Sequence, residues 1–211
     1  MKDTKDNFSV ALGLFDYINP IFYAITSINI IKNVFSLMNK PMNILMVIGS
    51  IISMIFGLSI PTVKFIVGLG KMKFKMPVNL VFYVNSGILL TGICLFSYVF
   101  NINTLMFVLI LLGVLLLLLL IYLKTKKFNT IAVLIGMAGY LMIYSSLISI
   151  AINYGYYINI IMYAVAICLF LFLVLVGIKG NLKDARVHWL IEISNVICQG
   201  LVAISTILLF K

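Results

Sequence analysis

Charge is scarce in this chain, and negative charge scarcest of all. Only 9% of its 211 residues are charged and five are acidic, while histidine, tryptophan, glutamate and glutamine occur once each, as His188, Trp189, Glu192 and Gln199. So thin a supply of proton-transfer groups excludes most catalytic designs. There is no acidic dyad, no HExxH, no phosphate-cradling glycine loop and no cluster at metal-ligand spacing. The three cysteines, Cys94, Cys168 and Cys198, lie inside hydrophobic runs without a CxxC, which excludes a disulfide framework and a thiol redox site. A cysteine–histidine hydrolase built on Cys198 would need His188 beside it, yet the intervening helix holds the two ~15 Å apart. No enzyme is expected, and no catalytic residue, metal ligand or cofactor is assigned. The N-terminus, with Lys2, Asp3, Lys5 and Asp6 before a short apolar run, lacks the small-residue cleavage site of a signal peptide.

What the chain has in abundance is hydrocarbon. It is 64% hydrophobic, with a mean hydropathy of +1.24, which predicts an all-α membrane protein of six to seven transmembrane helices in a single domain, 1–211. Six spans are expected at 43–63, 79–100, 105–123, 130–153, 158–178 and 188–210. Each is close to the ~20 apolar residues that cross a bilayer. The stretch 12–31 has two readings, a polar first span or an amphipathic helix at the interface, since Thr26, Ser27 and Asn29 interrupt its apolar pattern. Its length favours the span. Pro61 falls in the last turns of 43–63, where a lost backbone hydrogen bond bends or ends a helix, and Lys64 follows at the edge. The helix at 105–123 has little but Leu, Ile and Val and is expected to face lipid, whereas Gly136, Gly139, Ser145, Ser146 and Ser149 give 130–153 a surface for close helix packing.

A formal charge of +10 could indicate nucleic acid, but the lysines sit between hydrophobic segments and not in one patch or arm, so no nucleic-acid partner is expected. They encode topology instead. Lys64 with Lys71, Lys73 and Lys75, then Lys124, Lys126 and Lys127, then Lys179, Lys183 and Arg186 fall in alternate loops, which places those loops in the cytoplasm of a cell membrane. The C-terminus is then outside. On the other side the first turn holds Lys32 and Lys40 as exceptions, whereas Asn101–Asn103 and Tyr154–Tyr157 carry no charge.

The last span is the most informative. Spacings of four, three and four place His188, Glu192, Asn195 and Gln199 within about 60° of arc on one helix face. Polar groups at membrane depth face a protein interior or a wet path, so this stripe is the expected functional face. Glu192 reads as a proton- or cation-coupling carboxylate paired with His188, or as a first-turn glutamate favoured by the helix dipole. Asn195 and Gln199, deeper by ~10 to 17 Å than His188, read as ligand donors and acceptors or as interhelical hydrogen bonds. Overlaying 76–100 on 186–210 matches Leu80 with Leu190, Asn85 with Asn195 and Phe100 with Phe210. This suggests repeats at 12–100 and 130–210 joined by 105–123, that is, two three-helix bundles and a linking helix.

On Ile48-Gly49-Ser50-Ile51 followed by Ile60-Pro61-Thr62, and on Asn85 in Val84-Asn85-Ser86-Gly87 and Asn195 in Ser194-Asn195-Val196, the chain resembles the SWEET, SemiSWEET and PQ-loop transporter superfamily. It departs from that family at Thr62, where the family has glutamine after the proline, and in lacking an LWxxYG pattern. The resemblance implies three-helix bundles used as three plus one plus three, with Asn85 and Asn195 as paired substrate-facing asparagines. The expected function is therefore alternating-access transport of a small polar solute, such as a sugar or a vitamin- or nucleoside-sized molecule. Asn85, Asn195 and Gln199 would bind substrate, and Glu192, His188 and Pro61 would serve gating or proton coupling. The partners are the solute and membrane lipid, with room for a homo-oligomer. A channel, or an accessory or immunity subunit whose polar stripe binds another membrane protein, is the competing class, with a membrane-embedded enzyme behind both.

Overall fold

The computed structural model describes residues 9–70, 78–125, 128–179 and 185–211. The expected loop charges Lys71, Lys73, Lys75, Lys126, Lys127 and Lys183, and the N-terminal Lys2, Asp3, Lys5 and Asp6, lie outside the described residues. Helices α1 (Val10–Asp16) and α2 (Ile18–Val34) are followed by α3 (Met42–Gly68), α4 (Val78–Val99), α5 (Thr104–Thr125), α6 (Phe128–Tyr154), α7 (Tyr157–Lys179) and α8 (Ala185–Leu209). Six helical stretches, among them Val10–Leu37, are long and apolar enough to cross a membrane. The chain is an all-α, multi-pass membrane protein.

Ser9 starts α1 by accepting a hydrogen bond from the backbone N–H of Leu12 on its side-chain oxygen, at 3.1 Å. Pro20 explains why the first span is broken. It lacks the N–H that would bond the carbonyl of Asp16, and its ring crowds that carbonyl, so α1 stops at Asp16 and α2 restarts with the proline in its first turn. Pro61 has a milder effect. It sits inside α3, which continues to Gly68, so Lys64 lies within the helix and not at its edge as the sequence suggested.

The spans close into a ring, α2 against α3, α3 against α4, α4 against α6, α6 against α7, α7 against α8 and α8 back against α2. The tightest packing, α4 on α6, joins the two halves of the suggested repeat. Asn85 on α4 donates to the Ala132 carbonyl at 2.7 Å, and further along Gly139 lies on the Ile88–Leu89 backbone. These contacts ascend both helices together, so α4 and α6 are parallel. Helix α5 must then carry the chain back across, and its 22 residues supply ~33 Å of rise. It lies at the periphery, with Leu105, Leu109, Leu112, Leu116 and Leu120 more than half exposed, as its featureless sequence led one to expect. At the end opposite the basic loops, Asn159 of α7 donates to the Ser205 carbonyl of α8 at 2.6 Å, and the Tyr163 and Thr206 hydroxyls meet at 3.1 Å.

Candidate functional site: a buried ion cluster over an amide-lined cavity

The ring encloses a partly open cavity of about 200 Å³. It begins at three charged side chains. Asp16 ends α1, Lys64 lies four residues before the end of α3, and Glu192 lies two turns into α8, so antiparallel α1 and α3 and parallel α1 and α8 bring all three to one level near the basic end. The Lys64 Nζ donates to Asp16 Oδ2 at 2.7 Å and to Glu192 Oε1 at 2.5 Å. Asn19, the second residue of α2, closes the cluster from the other side, its Nδ2 donating to Asp16 Oδ1 at 3.0 Å and Glu192 Oε2 at 3.2 Å. All four carboxylate oxygens thus have a donor. The cluster is largely buried, with Asp16 5% and Glu192 6% exposed and the Lys64 side chain 13% exposed.

Below the charges the lining turns neutral. Asn195 and Gln199 follow Glu192 along α8, so the polar stripe does face an interior cavity, ~10 Å deep from Glu192 to Gln199. Tyr23, Ser53 and Tyr140 complete this polar wall. Gln199 is buried and its amide reaches the Tyr144 hydroxyl at 3.5 Å. Pro61 lines the same cavity beside Gly57, whose Cα faces the Pro20 ring. Both proline-interrupted helices therefore border the site. Deeper still, Ile30, Tyr144 and Val202 are almost wholly buried and form a packed layer. Beyond it a second cavity, about 610 Å³, lies between Asn33, Tyr98, Asn101 and Asn153.

No protein-family model matches this chain, and comparison with curated proteins and with solved structures gives no match either. The site has to be read from its own geometry.

Of the residues singled out in the sequence, Glu192, Asn195, Gln199 and Pro61 come together around the cavity. Asn85 does not join them. Its amide is spent on the α4–α6 interface, against Ala132 and in the space left by Gly136. His188 is half-buried one turn before Glu192 and is not part of the cavity wall; Glu192 takes its partners from across the ring, Lys64 and Asn19. Sequence reasoning passed over Asp16, Asn19 and Lys64. A signal was present: Asp16 and Glu192 are the only acids inside the spans, and charges inside spans are held in pairs. The partners of Glu192, Asn19 and Lys64, are more than a hundred residues away in sequence, and Asp16 meets Lys64 from a different helix, so the match itself was not legible.

Proposed function

We propose that this protein is a carrier that moves a small polar solute across the cytoplasmic membrane by alternating access, with the solute held by Asn195 and Gln199. The observation that carries this reading is the amide-lined cavity inside the ring, closed on one side by the layer of Ile30, Tyr144 and Val202. A carrier needs such a site reachable from one side at a time, whereas a channel needs a continuous path. Neutral amides flanked by tyrosine suit a hydroxyl-rich ligand, so a sugar or a vitamin- or nucleoside-sized solute is the proposed class. Pro20 and Pro61 each remove a backbone hydrogen bond beside the cavity, giving α1–α2 and α3 the compliance to tilt.

A thermal-shift screen of the purified protein against sugars, nucleosides, vitamins and amino acids tests the reading. A ligand at a hundredfold excess over its Kd stabilises by about 2.7 kcal/mol, a rise on the order of 5 °C in Tm for a chain of this size. The shift should vanish in Asn195→Leu, which removes one of the two proposed solute-binding amides without touching the ion cluster. A panel without any shift, with another membrane protein retained through mild detergent, would instead favour the accessory-subunit class.

In the proposed orientation the basic end is cytoplasmic and Lys211 is outside. Tyr154→Cys should therefore react with a membrane-impermeant maleimide on intact cells, and Leu69→Cys only after lysis. The reverse pattern would invert the assignment.

A further inference from the structure

The formal charges of the buried cluster do not cancel. Asp16 and Glu192 contribute two negatives and Lys64 one positive, leaving one excess negative charge among buried side chains when all are ionised. At membrane depth an uncompensated buried charge is costly enough that the group takes up a proton or a counter-ion instead.

The geometry indicates which. Both carboxyl groups hang on the same Nζ, at 2.7 and 2.5 Å, and on the same Asn19 Nδ2, at 3.0 and 3.2 Å. Two carboxylates crowded in this way share one proton, because like charges so close do not both persist. A cation would have to compete with an ammonium already seated between them.

Asn19 supplies an independent observation. It is 8% exposed and lines the cavity, and its Oδ1 accepts no hydrogen bond among the described residues. A buried amide oxygen without a donor is destabilising by ~1–3 kcal/mol. The missing donor is what a protonated carboxyl provides, since half a turn of the Asn19 amide presents Oδ1 to the carboxyl O–H.

We propose that Asp16, Lys64 and Glu192, together with Asn19, form a binding site for one proton shared between the two carboxyl groups, and that this proton is the ion coupled to solute movement. With the proton bound the cluster is neutral; on release the electron pair of the O–H bond stays on the carboxylate and the cluster carries −1. A conformational change that further dries the site is then favoured only in the protonated form. The coupling rests on the carrier reading; the proton site does not.

Every element around the cluster enters this balance. Helix α1 contributes Asp16, α2 Tyr23, α3 Lys64, α6 Tyr140 and α8, one turn toward the basic end, His188, whereas α4 brings Val84 and Ile88 to the cavity. Phenols titrate near pH 10 and imidazole has no carbonyl, so a carboxylic acid band is specific to the pair.

Infrared difference spectra of the purified protein in lipid nanodiscs, recorded between about pH 5 and pH 9, where exposed aspartates stay ionised, test the site without any solute. The wild type should show one protonated carboxyl band. Asp16→Asn and Glu192→Gln should each abolish it, because either variant leaves a neutral pair with Lys64. Lys64→Met should double it, because neutrality then requires two protons. A wild type without the band overturns the site and needs no variant to fold, as does a band surviving in both carboxamide variants. The band present, with no thermal shift across the solute panel, would overturn the coupling and the carrier reading together while the proton site stands.

Discussion

Lys64→Met should be the most damaging single substitution in the protein, lowering stability by about 3–5 kcal/mol. The lysine is the sole cation of the buried cluster, and both Asp16 and Glu192 accept from its Nζ at 2.7 and 2.5 Å. Removing one partner of a buried ion pair leaves an uncompensated charge; here Asp16 and Glu192 lose the cation between them and a second proton has to be taken up to restore neutrality. Methionine fills nearly the same space, so lost packing contributes little. In a chain of this length the loss corresponds to a fall in Tm on the order of 10 °C, measured by differential scanning fluorimetry in one detergent. It should shrink in acidic buffer, where protons replace the missing positive charge. The triple variant Asp16→Asn, Lys64→Met, Glu192→Gln removes every formal charge and should regain most of the loss. A Lys64→Met protein that melts with the wild type would show that the cluster carries no structural load, and the pairing would have to be abandoned.

Gly139→Val comes next in expected effect. A Cβ at this position would lie 2.6 Å from the Leu89 backbone nitrogen and 2.7 Å from its Cα, and backbone cannot swing aside as a flexible side chain can. The α4–α6 contact would have to open along its length, breaking the Asn85 to Ala132 hydrogen bond as well. Overpacking of this kind costs ~3 kcal/mol or more, and membrane helices have little hydrophobic drive to close again. The expected result is a loss of monodisperse protein on size exclusion. Gly113 on α5 is the matched control, since a Cβ there meets nothing within 4 Å. Gly113→Ala should be neutral, or stabilising by up to ~1 kcal/mol through helix propensity.

The two predictions bear on different layers of the molecule. The α4–α6 seam is a matter of shape, and it positions the helices. The ion cluster is a matter of charge, set where α1, α3 and α8 converge at the basic end. Between them lies the amide-lined cavity, so a variant of either kind will disturb solute binding indirectly. Asn195→Leu, which touches neither, separates a binding defect from a folding one.

The sequence by itself determined that this is a helical membrane protein, where its helices run to within a few residues, and that one face of the last helix is polar. These follow from hydrocarbon content and from the 3.6-residue period, which are local properties. The stripe of Glu192, Asn195 and Gln199 was legible because polar groups in an apolar segment must turn inward. The glycines of α6 were legible as packing surface for a similar reason. Only the tertiary structure decided that Lys64 belongs to the site and not to the loop, because α3 runs through Pro61 and a neutralising pair of carboxylates waits on other helices. Only the tertiary structure separated Asn85 from Asn195, turning one into the α4–α6 seam and the other into the cavity. Pattern within one helix fixes which way a residue faces; what it meets there depends on the order in which the helices close the ring.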